Sequence, residues 1–379
     1  MTKVKFEDVA TRVNTREDRL NTSLLYYVGG EHIESNEMLV QGCGLIKGST
    51  IGPMFYCGFK KGDILLVSRN PHLRKASMVE FDGICSEKTF VLGTKDSKVL
   101  LQEFLALVMQ SDDFWNYCEE HKSGGVNYFL NWSTLAKYEF YLPSIQEQKE
   151  IADKVWSAYR LKESYKKLLV ATDEMVKSQF IEMFENVESY CKLEDLVSDT
   201  FPGEWGSEPI SENAIKVIRT TNFTNEGYLD LTDVVTRDIE PKKVVRKKLK
   251  QGDTILERSG GTKDNPVGRV VFFDEIGDYL PNNFTQVLRP KESVNPVYLF
   301  YALYNSYNLN KAAMRAMASQ TTGIQNLSMS DFMAKFIVLP SRNEQNKFEQ
   351  IYRQADKSKF ELKQCIENID IVIKSLING

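Results

Sequence analysis

The chain is a doubled sequence, and the doubling restricts its fold more than any single motif does. Its two halves give the same order of signals at an offset of about 190 residues, which marks two copies of one structural plan. Each half opens on a short amphipathic segment, Phe6-Glu-Asp-Val9 in the first and Leu193-Glu-Asp-Leu196 in the second. A β-type segment follows, Tyr27 to Ile33 or Val217 to Phe223. Then come Lys61-Gly-Asp-Ile-Leu65 and Gln251-Gly-Asp-Thr-Ile255, where the Gly-Asp pair turns the chain into an apolar strand. A helical stretch, Leu100 to Tyr117 or Val297 to Met317, leads to a polar glycine loop, Ser123-Gly-Gly-Val-Asn127 or Gln320-Thr-Thr-Gly-Ile324. The halves end most alike: Phe140-Tyr-Leu-Pro-Ser-Ile-Gln-Glu-Gln148 lies over Ile337-Val-Leu-Pro-Ser-Arg-Asn-Glu-Gln345.

Each Leu-Pro-Ser is followed by a helix start. Ser144 and Ser341 are N-cap candidates, and Glu147 and Glu344 stand three residues on, the spacing of a capping box. From there the period becomes helical. In the C-terminal segment Phe348, Ile351, Ala355, Ser358, Leu362, Cys365, Ile369, Val372 and Leu376 alternate spacings of three and four, a coiled-coil seam. The central segment carries Ile151, Val155, Ala158, Tyr165, Leu169, Val176 and Met183 on the same alternation, interrupted by Lys162, Thr172 and Gln179. At ~1.5 Å per residue each helix runs roughly 50 to 60 Å. An apolar seam of that length needs a partner, and the other half of the repeat supplies one. Two amphipathic helices folded separately onto their own domains would satisfy the same pattern.

A chain of 379 residues suits two domains plus connecting elements, and 42% hydrophobic residues supply real cores. No run approaches the roughly 20 apolar residues of a membrane span, and the opening MTKVKFEDVA lacks the apolar stretch of a signal peptide, so a cytoplasmic protein is expected. Six cysteines without a C-x-x-C pair argue for reduced packing residues and against a metal site. The three histidines, His32, His72 and His121, have no partner at ligand spacing. Gly42 to Ser49 has the wrong spacing for a phosphate cradle. Asn70-Pro71, Asn265-Pro266 and Asn295-Pro296 all lack the second proline of an amino-methyltransferase motif. No nucleophile has an identifiable base. A non-catalytic chain is therefore expected, with no metal and no cofactor of its own.

A net charge of -4 gives no overall attraction to nucleic acid, so the distribution of charge decides. Basic residues gather where the repeat places loops beside the Gly-Asp strand. Pro241-Lys-Lys-Val-Val-Arg-Lys-Lys-Leu-Lys250 is the densest run, and Arg258, Lys263 and Arg269 follow in a Gly, Thr, Asn and Asp-rich loop. The first half offers Lys60, Lys61, Arg69, Arg74 and Lys75. With Asn127, Arg219, Lys247 and Thr322, these are the candidate DNA contacts: Arg and Asn on loops suit base edges, and clustered Lys suits phosphates. A Lys-rich strand edge also serves as a guard against aggregation.

The doubled plan, the Gly62 to Leu65 and Gly252 to Ile255 strands, and the two Leu-Pro to Glu-Gln junctions (Leu142 to Gln148; Leu339 to Gln345) resemble the specificity subunits of Type I restriction-modification systems. That resemblance implies a two-domain α/β (α+β) architecture. Target-recognition domains would occupy residues 1–143 and 188–340, with long helices at 144–187 and 341–379 paired antiparallel in a pseudo-twofold arrangement. It further implies a subunit that reads a split, asymmetric double-stranded DNA target. Two modification subunits and restriction subunits would assemble on it, and S-adenosylmethionine, ATP and Mg would be used by those partners. A specificity subunit of a bipartite Type II enzyme, or a coiled-coil adaptor that binds only protein, fits the same doubled plan.

Overall fold

In a computed structural model the chain is described over residues 2–210, 214–321 and 323–379. It divides into two units, one of residues 1–168 with 361–379 and the other of residues 169–360.

In the first unit, strand Thr2–Lys5 pairs antiparallel with Glu139–Leu142, joining the two ends of the first repeat. The short helix Phe6–Val9 follows and buries both of its apolar residues. A four-stranded antiparallel sheet has the order Ala10–Arg12, Thr89–Thr94, Ile64–Val67, Ala76–Met78. Its central strand, the one fed by Gly62-Asp63, is buried at Ile64, Leu65 and Leu66. A second sheet holds Tyr26–Val28 parallel to Gly83–Ser86. The β-type segment ends at Val28, and a 3-10 turn over Gly30–His32 replaces its last residues. The helical stretch is split into Gln102–Val108 and Asp112–Glu120, because the Ser111 hydroxyl accepts the Phe114 N–H at 3.2 Å and starts a new helix.

The second unit repeats this order. Tyr190–Lys192 pairs with Phe336–Val338, and the helix Leu193–Leu196 buries both leucines. The four-stranded sheet runs Val197–Pro202, Thr285–Pro290, Asp253–Glu257, Val270–Phe273. Ile215–Ile218 lies parallel to Tyr279–Pro281 and ends in a 3-10 turn over Thr220–Asn222. Its helical stretch is likewise split, into Pro296–Leu309 and Lys311–Ala316, with Asn310 capping the second piece by accepting from Ala313 N at 3.0 Å. The basic run Pro241 to Lys250 is not the loop the sequence suggests. Pro241–Lys247 is helical, with proline at the first position, where its missing N–H costs nothing.

The long helices span Ile145–Phe184 and Arg342–Asn378. Both capping boxes form: Glu147 accepts from Ser144 N and Oγ at 2.9 and 2.8 Å, and Glu344 from Ser341 N and Oγ at 2.9 and 2.7 Å. The next residue of the repeated motif does more than cap. Gln148, fully buried, donates to Pro143 O and Val99 O and accepts from Leu101 N, while Gln345 donates to Pro340 O and accepts from Asn295 N. The glutamine thereby ties each long helix to the start of the helix pair before it.

The central helix buries the expected seam at Val155 and Val176 and adds Trp156, Tyr159, Phe180 and Phe184. Lys162, an interruption in the sequence pattern, is itself buried and bonded to Asp370 at 2.8 Å and Glu37 at 3.4 Å. In the C-terminal helix the seam has the other phase. Phe348 and Ala355 are buried as expected, yet Tyr352 and Ile373 are buried too, while Cys365, Val372 and Leu376 are exposed. Two phases of a three-four alternation share every second position. With aliphatic residues at both Val372 and Ile373, the ~3.6-residue twist of a straight helix selects the later one.

Candidate nucleic-acid interface

The strand fed by each Gly-Asp turn ends where a glycine loop from far along the chain meets it. In the first unit, Ser68 closes the strand with its N–H and hydroxyl both donating to Lys88 O, at 2.8 and 2.7 Å. Arg69 then pairs with Phe129, Leu130 N donates to Ser68 O at 2.8 Å, and Asn70 N to Tyr128 O at 2.9 Å. Ser123 and Phe129 bond each other in both directions, so residues 124–128 form a closed loop beside Arg69. In the second unit, Arg258 N donates to Phe284 O at 2.9 Å and Leu327 N to Arg258 O at 2.8 Å. Ser259–Gly260 then pairs with Ile324–Leu327, which forms a hairpin with Ala318–Thr321. Two of these backbone connections correspond across the two units: Ser68 and Arg258 each donate an N–H to Lys88 O or Phe284 O and accept from Leu130 N or Leu327 N, so Arg69 occupies the position of Ser259, one residue beyond that of Arg258.

The side chains they present differ. Around the first loop, the Arg69 guanidinium lies 5.5 Å from the Phe129 ring centre, with Asn127 exposed at the loop and Val126 fully in solvent; the Lys122 ammonium lies 4.3 Å from the Tyr128 ring centre and is itself bonded to Glu119 at 2.6 Å. Lys122, Tyr128 and Phe129 were not singled out from sequence, although a lysine and two aromatics flanking a Gly-Gly loop are a legible signal for stacking on bases.

The second site is a loop with a pinned backbone. Gly261 has φ +64 and faces Val267 N so closely that a Cβ would stand 2.7 Å from it. Gln325 accepts from Val267 N and donates to Thr262 O, Arg315 donates to Lys263 O at 2.7 Å, and Lys311 donates to Asn265 Oδ1 at 2.8 Å. The loop is thus held from three sides while Lys263 is exposed. Thr322 lies outside the described residues.

Other candidates are held within the protein. Arg269 spends four of its N–H groups on Glu257, Phe223 O and Thr220 O. Burial pushes its pKa down, but the nearly inaccessible Glu257 more than offsets this and keeps the guanidinium charged. It is a strut that fixes the 220–223 turn. Arg74 bonds Asp112 at 2.7 Å, and Lys75 donates to Gly30 O at 2.7 Å. Arg219 bonds Asp233 at 2.8 Å, and Lys247 bonds Glu204 at 2.5 Å. Lys61 is exposed, but it precedes the strand that Arg69 follows; at about 3.3 Å per residue the two stand roughly 25 Å apart. The structure therefore brings together Arg69 with Asn127, and Arg258 with Lys263, and leaves Lys61 and Lys247 at the opposite strand ends. Among the described residues no group of three or more His, Cys, Asp or Glu side chains converges as a metal site would require. No described helix is long and apolar enough to cross a membrane.

Two copies of one α/β scaffold, each closed by a long helix start and each presenting a differently furnished loop pair at the same strand end, define a doubled α/β module. The chain belongs to the family of the Type I restriction modification DNA specificity domain, whose pattern it matches twice, over residues 27–169 and 200–370. Its fold is similar to that of the Type I restriction-modification S subunit from M. genitalium, with a TM-score of 0.62 at 14% identity over 99% of this chain and 94% of that one. It is also similar to a chain solved in a study of complex assembly and conformational transition of the type I R-M system, with a TM-score of 0.59 at 17% identity over 99% and 96% of the two chains. No curated protein matches it in sequence.

Proposed function

We propose that this chain is the DNA-reading subunit of a Type I restriction-modification enzyme and that each unit reads one half of a split, asymmetric target. The observation that carries this reading is the pair of loop sites: corresponding backbone connections in both units, with Arg69, Asn127 and Tyr128 at one and Arg258 and Lys263 at the other. One scaffold with two side-chain sets suits two different half-sites. Arginine suits guanine edges, lysine the phosphates, and the aromatics stack.

Two modification subunits would seat on the long helices. In support, Leu161 and Leu168 stand seven residues apart on the central helix within the first unit and are 45% and 49% exposed. Methyl transfer from S-adenosylmethionine, and ATP- and Mg-dependent translocation and cutting, would belong to those modification and restriction subunits, in the cytoplasm.

Methylation mapping of a host that makes this chain with its modification subunit tests the reading. A bipartite motif is expected, with Arg69→Ala relaxing bases in one half and Arg258→Ala bases in the other, each by about 1 to 3 kcal/mol of lost discrimination. A motif unchanged by both variants would overturn the assignment of these loops.

A further inference from the structure

In the first unit, strand Phe55–Phe59 runs antiparallel to Gly83–Ser86, and the register sets Cys57 directly opposite Cys85. The pairing shifts between Phe55 and Cys57, so the two cysteines sit beside a β-bulge, where the ladder is locally disrupted. Directly opposed residues of antiparallel strands have Cα atoms about 4.5 to 5.5 Å apart, inside the range a disulfide bridges. We propose that Cys57 and Cys85 are an oxidation site that forms a reversible disulfide, stapling these two strands beneath the loop that carries Arg69.

The two thiols have different characters. Cys85 is fully buried, and its hydrogen bond to Cys57, together with burial, pushes its pKa well up. Cys57 is only partly buried. The hydrogen bond from Cys85 lowers its pKa to about 7, against the opposing effects of burial and Glu87 and with help from Arg12 and Arg16. A half-accessible thiolate beside a buried thiol is the arrangement of an attacking and a resolving cysteine.

The oxidant is a low-molecular-weight disulfide. The Cys57 thiolate attacks one of its sulfurs, forming a mixed disulfide and expelling one thiolate, which takes a proton from solvent. The Cys85 sulfur then attacks Cys57 Sγ, and its proton leaves with the second small thiol. Two protein thiols are oxidised and one small disulfide is reduced to two thiols. The strand so stapled runs on to Lys88, whose carbonyl holds both the N–H and the hydroxyl of Ser68.

The test treats the full folded chain with glutathione disulfide at neutral pH, blocks remaining thiols and maps peptides without reduction. The result expected is a peptide pair joined through Cys57 and Cys85, two fewer alkylatable thiols among the six, and full reversal by dithiothreitol. With Cys85→Ser the glutathione adduct should instead stay trapped on Cys57. Cys57→Ser, at the more accessible position, should leave Cys85 unmodified. Adducts confined to the exposed Cys43 and Cys365, with Cys57 and Cys85 both still alkylatable, would overturn the proposal.

Discussion

Replacing Glu37 by leucine removes the acceptor at the centre of a polar cluster that faces the central helix within the first unit. Its carboxylate, with the side chain only 12% exposed, accepts from Tyr159 OH at 2.8 Å, Lys166 Nζ at 2.9 Å and Lys162 Nζ at 3.4 Å. Losing two ammonium partners and one hydroxyl partner forfeits roughly 1.5 to 3 kcal/mol for the shorter charged bond and about 1 kcal/mol for each of the others. Removing the burial cost of the carboxylate returns part of this, and Lys162 keeps Asp370 at 2.8 Å, so it is not left as a buried charge without a counter-ion. A net loss of about 2 to 3 kcal/mol is expected. With a urea slope of about 2 kcal/mol per molar, the unfolding midpoint falls by about 1 to 1.5 M. Tryptophan fluorescence reads it, because Trp115, Trp132 and Trp156 lie in the first unit and Trp205 in the second. The effect should depend on pH. Burial pushes the Glu37 pKa up, but Lys166, Lys162 and Tyr159 together outweigh burial and hold it below its usual value. A carboxylate depressed in the folded state contributes stability above its unfolded pKa of about 4.3 and loses it as pH falls through the folded pKa. Wild type and variant should therefore differ fully at neutral pH and draw together only as pH falls below the unfolded pKa and through the lower folded one. A midpoint change under about 0.3 M, or one that persists undiminished in acid, would refute the reasoning.

Gly261→Ala should distort the pinned second-unit loop, because φ +64 and the 2.7 Å approach to Val267 N leave no room for a methyl group. About 2 kcal/mol of local strain and relaxed methylation of one half-site are expected, and a motif of undiminished stringency would mean the loop does not read DNA. Gln148→Ala and Gln345→Ala each strip partners from buried backbone groups, and each should cost about 2 to 3 kcal/mol in thermal or urea unfolding; a neutral result would show that the repeated glutamine is no clamp. The chain alone, at net charge -4, should bind DNA weakly and gain selectivity only with its modification subunit. Tight, sequence-selective binding by the isolated chain at fixed salt would contradict this.

The doubled architecture was legible because its signals are local. Gly-Asp turns, Ser-x-x-Glu caps and short amphipathic segments act through neighbouring residues, and all of them form as the spacing predicts. What escaped depends on distant partners. Lys162 reads as a break in an apolar seam until Glu37 and Asp370 are placed beside it. Gln148 and Gln345 stand in the sequence only as the last residues of the repeated junction until Leu101 and Asn295 supply backbone groups for them to clamp. The seam of the C-terminal helix went to the wrong phase because aliphatic residues occupy both candidate stripes at 372–373 and 376–377. Among the candidate contacts, Arg269 and Arg258 look alike in sequence, and the buried Glu257 bonded to Arg269 marks it as a strut, while Arg258 is partly exposed. Tyr128 and Phe129 gain meaning once the Ser123–Phe129 bridge closes the loop and sets Phe129 opposite Arg69.

The most direct test of two independent readers in one chain is to exchange residues 188–340 for the corresponding segment of another family member with a known target, and then map DNA methylation in cells that also make the modification subunit. The account predicts a hybrid motif, with one half retained from this chain and the other taken from the donor. Methylation that persists with both half-sites altered, or with neither altered, would contradict it.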